Sequence, residues 1–122
     1  EYAAKLMAPW KEYEASVEEI HHLEKKDAPS GTAITIAEGI LKYHHKSNWK
    51  LNTSEENTLN IIAKREEDVK GTHIVSYKSE IDTISLIHEA HSREGFAKGA
   101  ILAGEWLKDR KGVFSMKDVL GL

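Results

Sequence analysis

Cysteine is missing from these 122 residues, proline occurs only twice, and no apolar run approaches the roughly 18 residues of a membrane-spanning helix. Without cysteine there is no disulfide framework, no thiolate nucleophile and no zinc site with sulfur ligands, a composition that fits a reducing, cytoplasmic setting. Basic residues are in no excess: the formal charge is −3 and the pI about 6.2, so neither a nucleic acid nor a membrane is an expected partner. The eight glycines never fall two apart, which leaves no Gly-x-Gly-x-x-Gly to cradle a dinucleotide. A starting methionine and a basic-then-apolar leader are also lacking. Tyr2, Ala3, Leu6, Met7 and Trp10 already recur every three to four residues, as in a domain cut from a longer protein that begins inside a helix.

What is present describes a globular domain, 40% hydrophobic and 30% charged, of a size that buries roughly two thirds of its unfolded surface. Ser16 to His22 alternates as a strand does, with Val17 and Ile20 on opposite faces. Asp27, Pro29 and Ser30 are helix-start signals, and Ala33, Ile36, Ala37, Ile40 and Leu41 make one apolar stripe, predicting an amphipathic helix from Thr32 to about Tyr43. Ser47 to Asn57 carries no periodicity and reads as a loop tacked down by Trp49 and Leu51. Leu59 to Arg65, Thr72 to Lys78 and Asp82 to His88 read as strands in an antiparallel meander, the last two joined by a tight turn at Ser79 to Ile81. Helical period returns from Gly95, with Phe96, Ala100, Ala103, Trp106 and Leu107 on one stripe. Lys108, Arg110 and Lys111 lie towards its end before Gly112 stops it, and Ser115 caps a last short helix to Leu120. The expected class is α+β: a mixed, largely antiparallel sheet of about four strands with helices on one face.

Chemistry concentrates between Glu19 and Ala33. At the start of a helix the first N–H groups have no internal acceptor and lie at the positive end of the dipole, so Ser30, Gly31 and Thr32 offer a seat for a carboxylate or phosphate. Taken alone, a simple capping serine explains the same residues. His21 and Lys25 add a titratable imidazole beside an ammonium; the cation lowers the histidine pKa and a bound carboxylate raises it again, which suits a general acid. Consecutive His21 and His22 face opposite sides of a strand, and no third ligand or partner carboxylate stands at a familiar metal spacing. No metal is therefore expected there, nor at His44 and His45 near a helix end.

His-His-x-x-Lys-x-Asp-Ala-Pro-Ser-Gly-Thr-Ala, from His21 to Ala33, resembles the signature of dihydrodipicolinate reductase, also called 4-hydroxy-tetrahydrodipicolinate reductase, of lysine and diaminopimelate biosynthesis. Ser92-Arg93-x-x-Phe96-Ala97-x-Gly99-Ala100, Trp106-Leu107 and Gly112-x-Phe114-x-Met116-x-Asp118-Val119-Leu120 are similar to the same family's C-terminal third, in the same order. The resemblance implies a Rossmann-type parent enzyme that uses NADH or NADPH, whose nucleotide-binding half this chain lacks. On that basis residues 1–92 are the substrate-binding and oligomerisation domain, and residues 93–122 are helices that pack on the missing half. It also implies a homotetramer built through the sheet, a small dicarboxylate substrate, His21 as acid/base, Lys25 as proton donor, His22 as a substrate contact, and Gly31 with Thr32, assisted by Ser30, as carboxylate binders. The fragment itself is expected to bind no nucleotide and to be inactive. Arg93 and Phe96 are left without a role, Phe96 being as well explained by packing. A non-catalytic assembly module on the same sheet interface is the alternative that the residues leave open; a metal-dependent hydrolase using the histidine pairs is a remoter one.

Overall fold

A computed structural model describes residues 1–122 and divides into two compact units, Glu1–Glu89 and Ala90–Leu122. In the first unit the order is α1 (Tyr2–Met7), β1 (Glu14–His21), α2 (Gly31–Leu41), β2 (Asn48–Leu51), β3 (Thr58–Arg65), β4 (Thr72–Lys78) and β5 (Thr83–Glu89). The second unit holds α3 (Glu94–Leu107) and α4 (Met116–Leu120). No helix is long and apolar enough to cross a membrane.

The α+β class holds, with five strands rather than about four, in the order β2-β3-β1-β4-β5. β1 runs parallel to β3 and antiparallel to β4; β2 is parallel to β3, and β4 and β5 form an antiparallel hairpin. Two expectations are corrected. The meander is limited to β4 and β5, whose turn is closed by the Ser79 N–H donating to the Asp82 carbonyl at 2.9 Å, because β1 inserts between β3 and β4. Part of the expected Ser47–Asn57 loop is strand β2, held by pairing Trp49 with Leu59 and Leu51 with Ile61. Four residues are too few for alternation to show.

Alternation sorts β1 cleanly. Ala15 and Val17 are buried on one face with Glu19, while Ser16, Glu18 and Ile20 lie on the other. Register carries that sorting across the sheet: Val17 is opposite Ile61 on one side and Val75 on the other, and Ala15 is opposite Tyr77. Helix α2 lays Ala33, Ala37 and Ile40 on this face, and together with Leu59, Ile61, Val17 and Tyr77 they form the core. Burying side chains of this size contributes about 1.5–3 kcal/mol for each of the larger ones. The opposite face interleaves Ile20, Ile62, Ile74 and Ile87 with Glu18 and the serines 16, 76 and 85.

In the second unit the helical period from Gly95 is realised, but α3 ends at Leu107, five residues before Gly112. The chain leaves through Asp109 at φ 66°, and Arg110 returns its Nε to the Trp106 carbonyl at 2.8 Å, satisfying one of the last turn's orphan acceptors. Trp106 packs edge-on against Phe114 at 5.1 Å, and Arg110 lies 4.1 Å over the indole. The expected Ser115 cap is present as a capping box with Asp118. Phe96 is 57% exposed, so packing within this chain does not account for it.

Candidate active site

The site grows from the C-terminal end of β1. Because side chains alternate, Glu19 and His21 both point to the helix-covered face, and register sets His73 of β4 opposite Glu19 and Arg65 of β3 opposite His21. Four polar side chains from three strands therefore meet at one end of a hydrophobic core. Glu19 is fully buried. One of its oxygens, Oε2, meets His21 Nδ1, and the other, Oε1, accepts from Arg65 Nη1 at 3.0 Å.

Arg65 also fixes the loop that follows β1. Its Nε donates to the Lys25 carbonyl at 3.2 Å and its Nη2 to the Asp27 carbonyl at 2.6 Å, so the guanidinium bridges the buried carboxylate to the segment leading into α2. Lys25 Nζ donates to both oxygens of Asp27 at 2.8 Å, and this ammonium holds the Asp27 carboxyl below the ordinary carboxylate range. The turn after β1 is closed by the Lys25 N–H donating to the His22 carbonyl at 3.1 Å.

Helix α2 begins where the sequence places it. Ser30 is buried, with extended backbone, and its Oγ accepts from the Ala33 N–H at 3.2 Å, while His73 Nε2 lies 3.2 Å from the same oxygen. Since that N–H uses an acceptor site on the hydroxyl, the serine proton is free to donate to His73. Gly31 and Thr32, the first two residues of the helix, are exposed, and a Cβ at Gly31 would meet no atom within 4 Å. Their N–H groups precede the first possible intrahelical acceptor, so they stand at the positive end of the helix with space beside them.

The rings of His73 and His21 meet edge-on, with centroids 5.1 Å apart, which closes a continuous path Arg65, Glu19, His21, His73, Ser30. The structure thus gathers His21 and Ser30 through His73, and Lys25 through Arg65; His22 follows the last residue of β1, and Gly31 and Thr32 form the helix start. Glu19, Arg65 and His73 are the residues that sequence reasoning missed. For Glu19 the signal was visible, a carboxylate two residues before His21 and on the same face of a strand, although not at a familiar metal-ligand spacing. Donor atoms of Glu19, His21 and His73 all lie within 4.8 Å of one another, a set a metal ion accepts in principle. Here the Arg65 guanidinium on the same carboxylate, with Lys25 adding its charge at His21, opposes a dication.

Electrostatics differ from the sequence expectation in their leading cause. Burial pushes the His21 pKa below its ordinary value; the Glu19 carboxylate opposes this, and the charges of Lys25 and Arg65 add smaller downward contributions. Burial likewise lowers His73, with His21 next, and His44, with His45 next. Unfolded imidazoles take up protons near pH 6.5, whereas these three resist until lower pH, so acidification loads the unfolded state first and stability falls. The thermal midpoint is expected to drop between pH 7.5 and 5.5 in a melting series. A flat or rising midpoint over that window contradicts the assignment.

Residues 1–120 match the family model described as dihydrodipicolinate reductase, C-terminus. A 4-hydroxy-tetrahydrodipicolinate reductase of Christiangramia forsetii is 52% identical over 118 residues, covering 96% of this chain and 49% of that protein. One of Aquifex aeolicus is 41% identical over 128 residues, 100% of this chain and 48% of that protein. The chain spans about half the length of the curated relatives it matches. Among solved structures, the dipicolinate-bound dihydrodipicolinate reductase of Paenisporosarcina sp. TG-14 superposes with a TM-score of 0.65 at 23% identity, over 82% of this chain and 41% of that one, a likeness of fold.

Proposed function

The chain belongs to the dihydrodipicolinate reductase family, and from that premise we propose that it is the substrate-binding and assembly part of a 4-hydroxy-tetrahydrodipicolinate reductase. In this reading the parent protein reduces the cyclic dicarboxylate to tetrahydrodipicolinate with loss of water, a step in lysine and diaminopimelate biosynthesis. The nicotinamide of NADH or NADPH, held by a half that this chain does not contain, supplies the hydride. The observation that carries the reading is the helix start at Ser30, Gly31 and Thr32, joined through His73 to the partly buried imidazole of His21.

Each residue then has a task that its position allows. The first N–H groups of α2, at Gly31 and Thr32, receive a substrate carboxylate, and Ser30 holds the helix start rigid by capping it. Lys25 releases Asp27 to meet the dianion and supplies the proton that complements the hydride. His21 exchanges protons with the reacting ring, and His22 lines the same end of β1 as a substrate contact. Because the charges and dipoles are fixed before the ligand arrives, little reorganisation accompanies the developing charge. The mixed sheet face with its four isoleucines is the surface through which copies assemble into a tetramer, and residues 93–122 pack on the nucleotide-binding half. The dicarboxylate carried by the solved Paenisporosarcina protein is of the class this helix start suits.

The test is turnover of 4-hydroxy-tetrahydrodipicolinate with NADH or NADPH by the full-length protein and by the 122-residue chain, alongside calorimetry with pyridine-2,6-dicarboxylate and light scattering on the chain. Turnover by the full-length protein alone, with ligand binding by the chain, is expected. Turnover by the chain alone contradicts the division of labour. Assembly with neither ligand binding nor full-length turnover favours a non-catalytic assembly module.

A further inference from the structure

A buried carboxylate is costly unless each oxygen is engaged, and Glu19 engages them differently. Arg65 donates to Oε1, and Arg65 is itself anchored by three carbonyls, those of Lys25, Asp27 and Lys64. Oε2 is left to His21 Nδ1, both atoms lying away from solvent. A carboxylate only accepts, so a neutral imidazole in this contact carries its hydrogen on Nδ1 and keeps the lone pair on Nε2. That second nitrogen lies beside Gly71, at φ 143°, where a Cβ would stand 3.4 Å from it. A side chain there would reach that nitrogen only at ordinary van der Waals distance, so it is the backbone φ rather than lack of space that favours glycine beside the one ring nitrogen left to exchange a proton.

The geometry points to Glu19 as a positioning residue: held by Arg65, it fixes His21 as the Nδ1–H tautomer and aims Nε2 as the proton-exchanging atom. Glu19 touches no substrate in this arrangement and acts through the imidazole, as the second residue of an acid/base dyad does. His73, edge-on to the same ring and bonded to Ser30, keeps the imidazole from turning, so the tautomer and the anion seat are set together. The assignment rests on the reductase reading for its kinetic consequence but not for the tautomer itself.

Glu19→Gln separates positioning from mere burial. Arg65 still requires an acceptor, so the amide oxygen faces the guanidinium and the amide NH2 faces Nδ1; the ring hydrogen must move to Nε2. In the full-length protein labelled with 15N-histidine, with the His21 signals assigned through His21→Gln, the wild type is expected to show Nδ1–H and Glu19→Gln to show Nε2–H. Glu19→Asp, again an acceptor only, is expected to retain Nδ1–H. The same Glu19→Gln protein should lose about 100-fold or more in kcat with KM within about threefold of wild type.

Nε2–H in the wild type overturns the inference without any variant, which keeps it decidable should Glu19→Gln fail to fold. An unchanged tautomer and kcat in a folded Glu19→Gln protein overturns it as well. If the wild-type protein shows no reductase turnover, the functional reading falls, whereas the tautomer comparison still decides the role of Glu19.

Discussion

Lys25→Ala in the full-length protein is expected to lower kcat by about 10²- to 10⁴-fold while KM changes by no more than about threefold, as for a group that acts by proton transfer in the transition state. The ammonium is held in place before any ligand arrives. Nζ is bonded to both oxygens of Asp27 at 2.8 Å, on a loop whose carbonyls at Lys25 and Asp27 are fixed by Arg65. Asp27 is the more exposed partner, so a dicarboxylate at the start of α2 competes for the ammonium without moving the backbone. Lys25→Arg sharpens the test. A guanidinium keeps the charge and the hydrogen bonds but does not give up its proton, so kcat should fall nearly as far as in the alanine variant while substrate binding is retained. A loss expressed through KM alone in either variant would sink the proton-donor role and leave Lys25 as a charge contact. His21→Gln is expected to behave as Lys25→Ala does in the same steady-state assay.

The parts of this site differ in how far the sequence discloses them. The start of α2 was legible because cap, proline and apolar stripe agree over a few residues: Ser30 caps Ala33, and Ala33, Ala37 and Ile40 are buried in the order the helical period requires. The β4 and β5 hairpin was legible for the same local reason, a short turn between two alternating runs. What was not legible depends on register between distant segments. Nothing local to Thr72–Lys78 says that His73 lies opposite Glu19, or that Arg65 lies opposite His21, because those pairings exist only once β1 is inserted between β3 and β4. Glu19 itself was hidden by a sound habit, since a carboxylate on a strand is ordinarily assigned to the solvent face. Only its spacing of two from His21 argued otherwise. Helix α3 differs in kind: its helical period is plain in the sequence, but amphipathicity does not say what covers the stripe, and of its members Phe96 and Leu107 are exposed in this chain.

Arg65→Ala is expected to destabilise the sheet unit by about 3 kcal/mol, the lower part of the range for breaking a buried ion pair, because the Arg65 side chain keeps 20% of its surface in solvent. For a domain of this size that is a fall in thermal midpoint on the order of 10–20 °C. The loss has two sources. Glu19, with no exposed surface, is left with one oxygen unmatched inside the core, and the Lys25 and Asp27 carbonyls lose the donor that orders the loop. A double-mutant cycle tells them apart. In Glu19→Leu/Arg65→Met neither charge is buried, so most of the first cost disappears, and the double variant should be more stable than Arg65→Ala although two native side chains are gone. The loop cost persists, and with it the disorder of Lys25. If the double variant is no more stable than Arg65→Ala, the loop contacts rather than the buried carboxylate carry the stability. A drop below about 1 kcal/mol for Arg65→Ala removes the pair as a structural element altogether. The expected combination, regained stability without regained turnover, follows from the same geometry: an apolar core at this end of β1 folds well, but His21 then has no carboxylate to hold its Nδ1 hydrogen, and the nitrogen beside Gly71 is no longer fixed as the one that exchanges protons.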